Sequence, residues 1–171
     1  MVRKRKSLAL SLALALALLG ALAVMPSLGS NHIVFEPLTG RASFTDDVTL
    51  KFKIKLDGRA TEVVNMRDPS LVQTAEITVQ PGAMFPWHTH DGLVVVTVAS
   101  GELVYVSSED CVERSYVAGE AFVDPGHGHV HTAYNPSATD ETVLVATFFG
   151  VAASGPLTIP APAPDDCVVT P

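Results

Sequence analysis

Cysteine is nearly absent: only Cys111 and Cys167 occur in 171 residues. Two thiols so far apart exclude a compact thiolate zinc site, which draws its ligands from closely spaced pairs. Basic charge is scarce as well, with 11 Lys and Arg against 18 Asp and Glu and a formal charge of −7. Four of those basic residues, Arg3, Lys4, Arg5 and Lys6, stand together at the start, and no comparable cluster follows. No positive patch is left to attract nucleic acid, and that partner class is excluded. Beyond residue 30 there is no long apolar run, no internal repeat and no convincing helical periodicity.

What is present begins with a leader. The basic cluster is followed by an uncharged apolar stretch from Leu8 to Val24, then Pro26 and the small residues Ser27, Gly29 and Ser30. This is the layout of a secretory signal, with cleavage expected after Gly29 or Ala23. The competing reading is an uncleaved anchor, because the apolar stretch approaches the length of a bilayer span. Residues 1–29 are therefore read as a signal peptide, and the protein as secreted, or held on the outer membrane face if the leader stays uncut. Loss of the four leader cations takes the formal charge from −7 to −11. In the oxidising compartment that export implies, Cys111 and Cys167 are expected to form a disulfide, worth about 4 kcal/mol by loop-closure entropy.

Residues 30–46 read as an extended lead-in, 47–150 as the folded domain and 151–171 as a proline-rich extended tail. Apolar Val48, Leu50, Phe52, Ile54 and Leu56 alternate with polar residues and predict a half-buried strand. Further strands are expected at 61–66, 71–79, 93–98, 103–106, 112–117, 121–123, 130–134 and 142–149. Between them lie turn formers such as Pro81-Gly82, Ser100-Gly101, Asp124-Pro125-Gly126 and Asn135-Pro136. Many short strands at turn-marked intervals imply an antiparallel sandwich or barrel.

Five of the six histidines fall in two clusters, His88 with His90 and His127, His129 with His131. On a strand, His88 and His90 share one face with Cα atoms about 6.5 Å apart, so both rings can converge on one ion. His131, in a strand of its own, is the third donor once a barrel closes. Imidazoles suit one divalent ion of Fe, Mn, Zn, Ni or Cu. The competing reading makes these three ordinary buried histidines. His127 and His129 share the parity of His131 and are open to a further ligand role, but parity fails inside the turn expected at Pro125 to Gly128. They therefore read as loop histidines, and His32 as incidental. Met84, Val94, Val96 and Tyr105 are candidates for a pocket lining, and Phe85 and Trp87 are expected to face away from the histidines.

These spacings resemble the two motifs of the cupin family. Gly82, His88, His90 and Gly101 match every fixed position of the first motif except its glutamate, where Val94 stands. Gly119, Pro125, Gly128, His131 and Asn135 match the second, with one extra residue between Pro125 and Gly128. The resemblance implies an all-β antiparallel double-stranded β-helix, the jelly-roll or cupin barrel. It also implies a metal held by His88, His90 and His131, as in the family's three-histidine branch, and pairing into a homodimer.

Two functions follow as expectations. One is a metal-dependent oxygenase, isomerase or lyase acting on a small molecule; its catalytic residues are unknown, since Glu102 and Asp124 have no geometry readable from sequence. Asp91 has the wrong parity to replace the missing glutamate. The alternative is a non-catalytic cup for a small-molecule ligand with a degenerate metal site.

Overall fold

Strands that alternate buried and half-buried residues must lay one face on a core, and the two longest do so. In the computed structural model, which describes residues 32–171, Gln73, Ala75, Ile77 and Val79 of one strand are buried, as are Thr142, Leu144, Ala146 and Phe148 of another. Thirteen strands run in the order β1 Ile33–Pro37, β2 Ala42–Ser43, β3 Leu50–Ile54, β4 Glu62–Met66, β5 Leu71–Val79, β6 His88–Thr89 and β7 Val94–Ser100. They continue with β8 Glu102–Ser107, β9 Glu113–Val117, β10 Ala121–Asp124, β11 His131–Tyr134, β12 Thr142–Phe149 and β13 Ile159–Pro160. No helix occurs among the described residues. The expected leader lies outside them.

The pairings are antiparallel throughout and make two facing sheets, ordered β1-β5-β12-β7-β10, with β2 also on β5, and β13-β6-β11-β8-β9. This is the all-β jelly roll that the strand pattern and the resemblance implied. The β3-β4 hairpin forms a small third sheet. Ile54, Val64 and Met66 of that hairpin pack with Leu93 and, at the margin, Val95 and Val123, covering the outer face of β7 and β10.

Between the sheets the core consists of aliphatic residues such as Ile77, Val96, Val98, Leu103 and Leu144, with Tyr105, Phe122 and Phe148. Each such burial contributes about 1.5–3 kcal/mol. β8 is buried on both faces, because Val104 and Val106 lie in a second cluster with Trp87, Tyr134 and Cys167 of the tail. That explains its continuous apolar run.

One motif residue, Asn135, and Thr142 beside another motif position act as structural pins. The Asn135 side chain is fully buried; its Nδ2 donates to the carbonyls of Val79 (2.9 Å) and Asp140 (2.8 Å), while Oδ1 accepts from Ser137 N (2.9 Å). Thr142 Oγ1 donates to Glu102 O at 2.6 Å and ties the sheets together beside Gly101. Gly101 has φ 78°, and a Cβ there would meet Thr142 Oγ1 at 2.6 Å, so this motif position has room only for glycine.

The lead-in and tail depart from their sequence reading. Residues 33–37 and 42–43 are strands of the first sheet, paired with β5 despite Pro37 and Gly40. Pro37 sits at the strand end, on an edge that requires no further donor. The tail is anchored as well. β13 pairs with β6, and Cys111 and Cys167 form the disulfide, with Cα atoms 5.6 Å apart.

Candidate metal centre

The site is built on the shortest inner strand. β6 lies between β13 and β11, and its pairing with β11 sets His88 directly opposite His131. His90, two residues on, keeps the same face. The ring centroids are 4.3 Å apart for His88 and His131, 4.9 Å for His88 and His90, and 5.2 Å for His90 and His131. All three residues are buried, and each offers a ligand atom within 4.8 Å of the other two.

The second nitrogen of each ring fixes its tautomer. Nδ1 of His88 lies 2.7 Å from Pro86 O, Nδ1 of His90 2.8 Å from Leu157 O, and Nδ1 of His131 3.4 Å from His129 O. A carbonyl only accepts, so in each of these contacts Nδ1 carries the hydrogen and Nε2 keeps a free lone pair. Carbonyl-anchored imidazoles of this kind are characteristic of metal ligands. Burial, with the neighbouring His131 and His90, pushes His88 down to about 3. Burial also lowers His90, although the Asp124 carboxylate works against it. Both rings are neutral at neutral pH, the state a metal requires.

A carboxylate joins the cluster from β10. Asp124 is 1% exposed, and its Oδ1 accepts from Gly126 N at 2.7 Å. Its Oδ2 lies 2.7 Å from His131 Nδ1 and 4.0 Å from His90 Nε2, yet is aligned with no hydrogen-bond donor. Burial alone would raise its pKa; His131, His90 and the Gly126 amide outweigh that and hold the carboxyl below the usual range. Asp124 could not be placed from sequence. The signal is its register, because Asp124 pairs across the ladder with Val94, the position where the motif glutamate is missing.

Below the histidines lies a cavity of about 510 Å³. One row of inward residues crosses its sheet wall: Gln73 on β5, Phe148 on β12, Val94 on β7 and Asp124 on β10. Tyr105 stacks on His131, with centroids 5.1 Å apart and ring planes 26° from parallel. Val94, Val96 and Tyr105 line the cavity as expected, but Met84 does not; it is 36% exposed on the far side of its short bridge to Tyr134. Phe85, expected to face away, lines the cavity with its ring centroid 5.9 Å from that of His88, because the chain from Phe85 to Trp87 is irregular rather than a strand. Trp87 is buried outside the cavity, in the cluster with Cys167.

The remaining histidines stay outside. His127 is exposed, with φ 50° in the turn that carries the extra motif residue. His129 lies between two acids, 2.8 Å from Glu62 and 2.8 Å from Glu109, and joins the β3-β4 hairpin to the β8-β9 loop. His32 and Asp91 are exposed, and Glu102 bonds Ser115 away from the cluster.

Three buried imidazoles with free Nε2 atoms and an unpaired carboxylate oxygen suit a divalent ion of the zinc or iron type. Residues 75–148, which hold the whole cluster, match the cupin domain family. The chain carries a cupin domain. Among solved structures, the cupin fold is similar to the polyketide cyclase RemF from Streptomyces resistomycificus, at 17% identity and TM-score 0.46 over 56% of this chain and 63% of that one. It is also similar to a cupin-2 domain protein from Shewanella frigidimarina, at 27% identity and TM-score 0.38 over 44% of this chain and 68% of that one. A cupin-like protein from Thermotoga maritima matches at 24% identity and TM-score 0.43 over 47% and 58%. The chain thus spans about three fifths to two thirds of the length of these structures. No curated protein matches it.

Proposed function

We propose that this cupin is an exported protein that holds one divalent ion on His88, His90 and His131 and binds a small molecule in the cavity below it. The observation that carries the reading is the set of three Nδ1–carbonyl contacts, which leaves an Nε2 lone pair free on each of three buried rings that bring ligand nitrogens within 4.8 Å of one another. When bound, the ion would act as a Lewis acid toward an oxygen of the ligand, the chemistry of an oxygenase, isomerase or lyase. Phe148 and Tyr105 pack against His90 and His131 and keep water from the ring faces.

The cavity supports a mostly apolar ligand that carries an acidic group. Its wall is formed by Val94, Val96, Phe122, Leu144 and Phe148, while Arg41 lies at the Gln73 end of the transverse row. Three strand spacings separate Gln73 from Asp124, about 14 Å measured along the sheet. Arg41 donates to Gln73 Oε1 and Gly155 O and has no carboxylate partner among the described residues. Its charge is left for an anionic group of the ligand. The disulfide supports export, as does the leader.

A second reading, a ligand cup without turnover, is favoured by Val94 at the motif carboxylate position and by the apolar wall. Elemental analysis of the untagged exported protein, beside His88→Ala and His131→Ala, tests the metal. A near-stoichiometric ion lost in both variants supports the centre; no ion and no uptake on titration would leave the cup.

A further inference from the structure

We infer that Asp124 is the fourth ligand of this centre and takes over, from the neighbouring strand, the carboxylate that Val94 has lost. The inference rests on the metal-centre reading above. Paired residues of an antiparallel ladder carry Cβ atoms about 4.5–5.5 Å apart on the same face. A carboxylate at position 124 therefore reaches space that a side chain at position 94 would otherwise enter.

The Asp124 side chain is held in a one-sided way. Oδ1 is fixed by the Gly126 amide, and Oδ2 is buried beside His131 and His90 with no aligned donor. A buried carboxylate oxygen left bare is costly unless something cationic meets it. The alternative task, orienting an imidazole, is performed for His88 and His90 by the carbonyls of Pro86 and Leu157. The Nδ1–H of His131 is directed at His129 O (3.4 Å) rather than aligned on Oδ2, although Oδ2 lies 2.7 Å from that nitrogen. What remains for Oδ2 is the ion itself, where it would lower the net charge of a three-imidazole centre from two to one. Backbone packing fixes this position: Gly126 approaches Gly92 so closely that a Cβ would lie 1.9 Å from Gly92 O, and that approach brings the end of β10 against the segment that follows His90.

The test uses the full exported chain loaded with Zn²⁺ or Co²⁺ alone. A crystal structure of the Zn²⁺-loaded wild type should place Oδ2 about 2.0–2.2 Å from the ion. An ion on the three histidines with Oδ2 beyond about 3 Å, bonded instead to His131 Nδ1, overturns the inference and leaves the three-histidine centre standing. No ion at the histidines overturns both. In solution, Asp124→Asn keeps an acceptor for Gly126 and should bind Co²⁺ about tenfold or more weakly with an altered visible spectrum. Adding Val94→Glu to that variant should recover most of the affinity by restoring a carboxylate on the paired strand. Unchanged affinity and spectrum in Asp124→Asn would overturn the assignment.

Discussion

Val94 and Asp124 face each other across β7 and β10, one apolar and one anionic, both almost fully buried and both in the wall of the cavity. A second acid introduced at Val94 would share that space with Asp124. Two carboxylates so placed cannot both ionise without a cation. Val94→Glu in the wild-type background should lower the melting temperature of the metal-free protein by about 5 °C or more, and excess Zn²⁺ should recover most of the loss. Thermal melts with and without the ion measure it.

The metal-free protein should lose stability on acidification. His88 is lowered to about 3 in the fold against an ordinary 6.5, and His90 shifts in the same direction, so below pH 6.5 the unfolded chain binds protons that the folded chain refuses. Stability is undiminished above that pH and falls as pH drops from 6.5 toward 3, by up to about 1.4 kcal/mol per pH unit for each proton. Urea titrations of metal-free protein between pH 7 and 4 read the slope. A flat profile would mean that the rings are not held neutral.

Asn135→Ala should be among the most damaging substitutions away from the histidine cluster. It removes three hydrogen bonds at a fully buried position and strands the Val79 and Asp140 carbonyls. A loss of about 2–4 kcal/mol is expected in denaturant unfolding.

Reduction of Cys111–Cys167 should release the tail and loosen Trp87, the single tryptophan, which shares a cluster with Cys167. The expected outcome is a red-shifted Trp87 emission together with about 4 kcal/mol less stability, judged against a Cys111→Ser, Cys167→Ser double variant that should not respond to reductant.

Arg41→Gln should separate acidic from neutral ligands. Octanoate should bind about tenfold more weakly than to wild type, while octanol is unaffected. Calorimetric titration of both probes on both proteins gives the comparison, and equal losses for the two would remove Arg41 as an anion anchor.

The strands most legible in the sequence are those whose period of two reports burial on one face, β5 and β12 above all, and the His88–His90 pair is legible for the same reason. Closure of the barrel then brings in His131, which the register of β11 on β6 sets opposite His88. Features that depend on register were not readable. Asp124 becomes part of the site only because β10 pairs with β7 in the frame that puts it beside Val94. Phe85 escapes the parity rule because the segment before β6 is irregular rather than a strand. β1 and β2 were missed because Pro37 and Gly40 weaken a local strand pattern that β5 then overrides.

The carbonyl that aims His90 belongs to Leu157, which is 67 residues further along the chain. All of β7 to β12 lies between that ring and the carbonyl that orients it, so His90 depends on a part of the chain that the pairing of His88 with His131 does not need. The donor set is completed by the segment that follows the barrel. A chain cut before Leu157 would therefore keep the strand pairing that sets His88 opposite His131 while losing the carbonyl that aims His90.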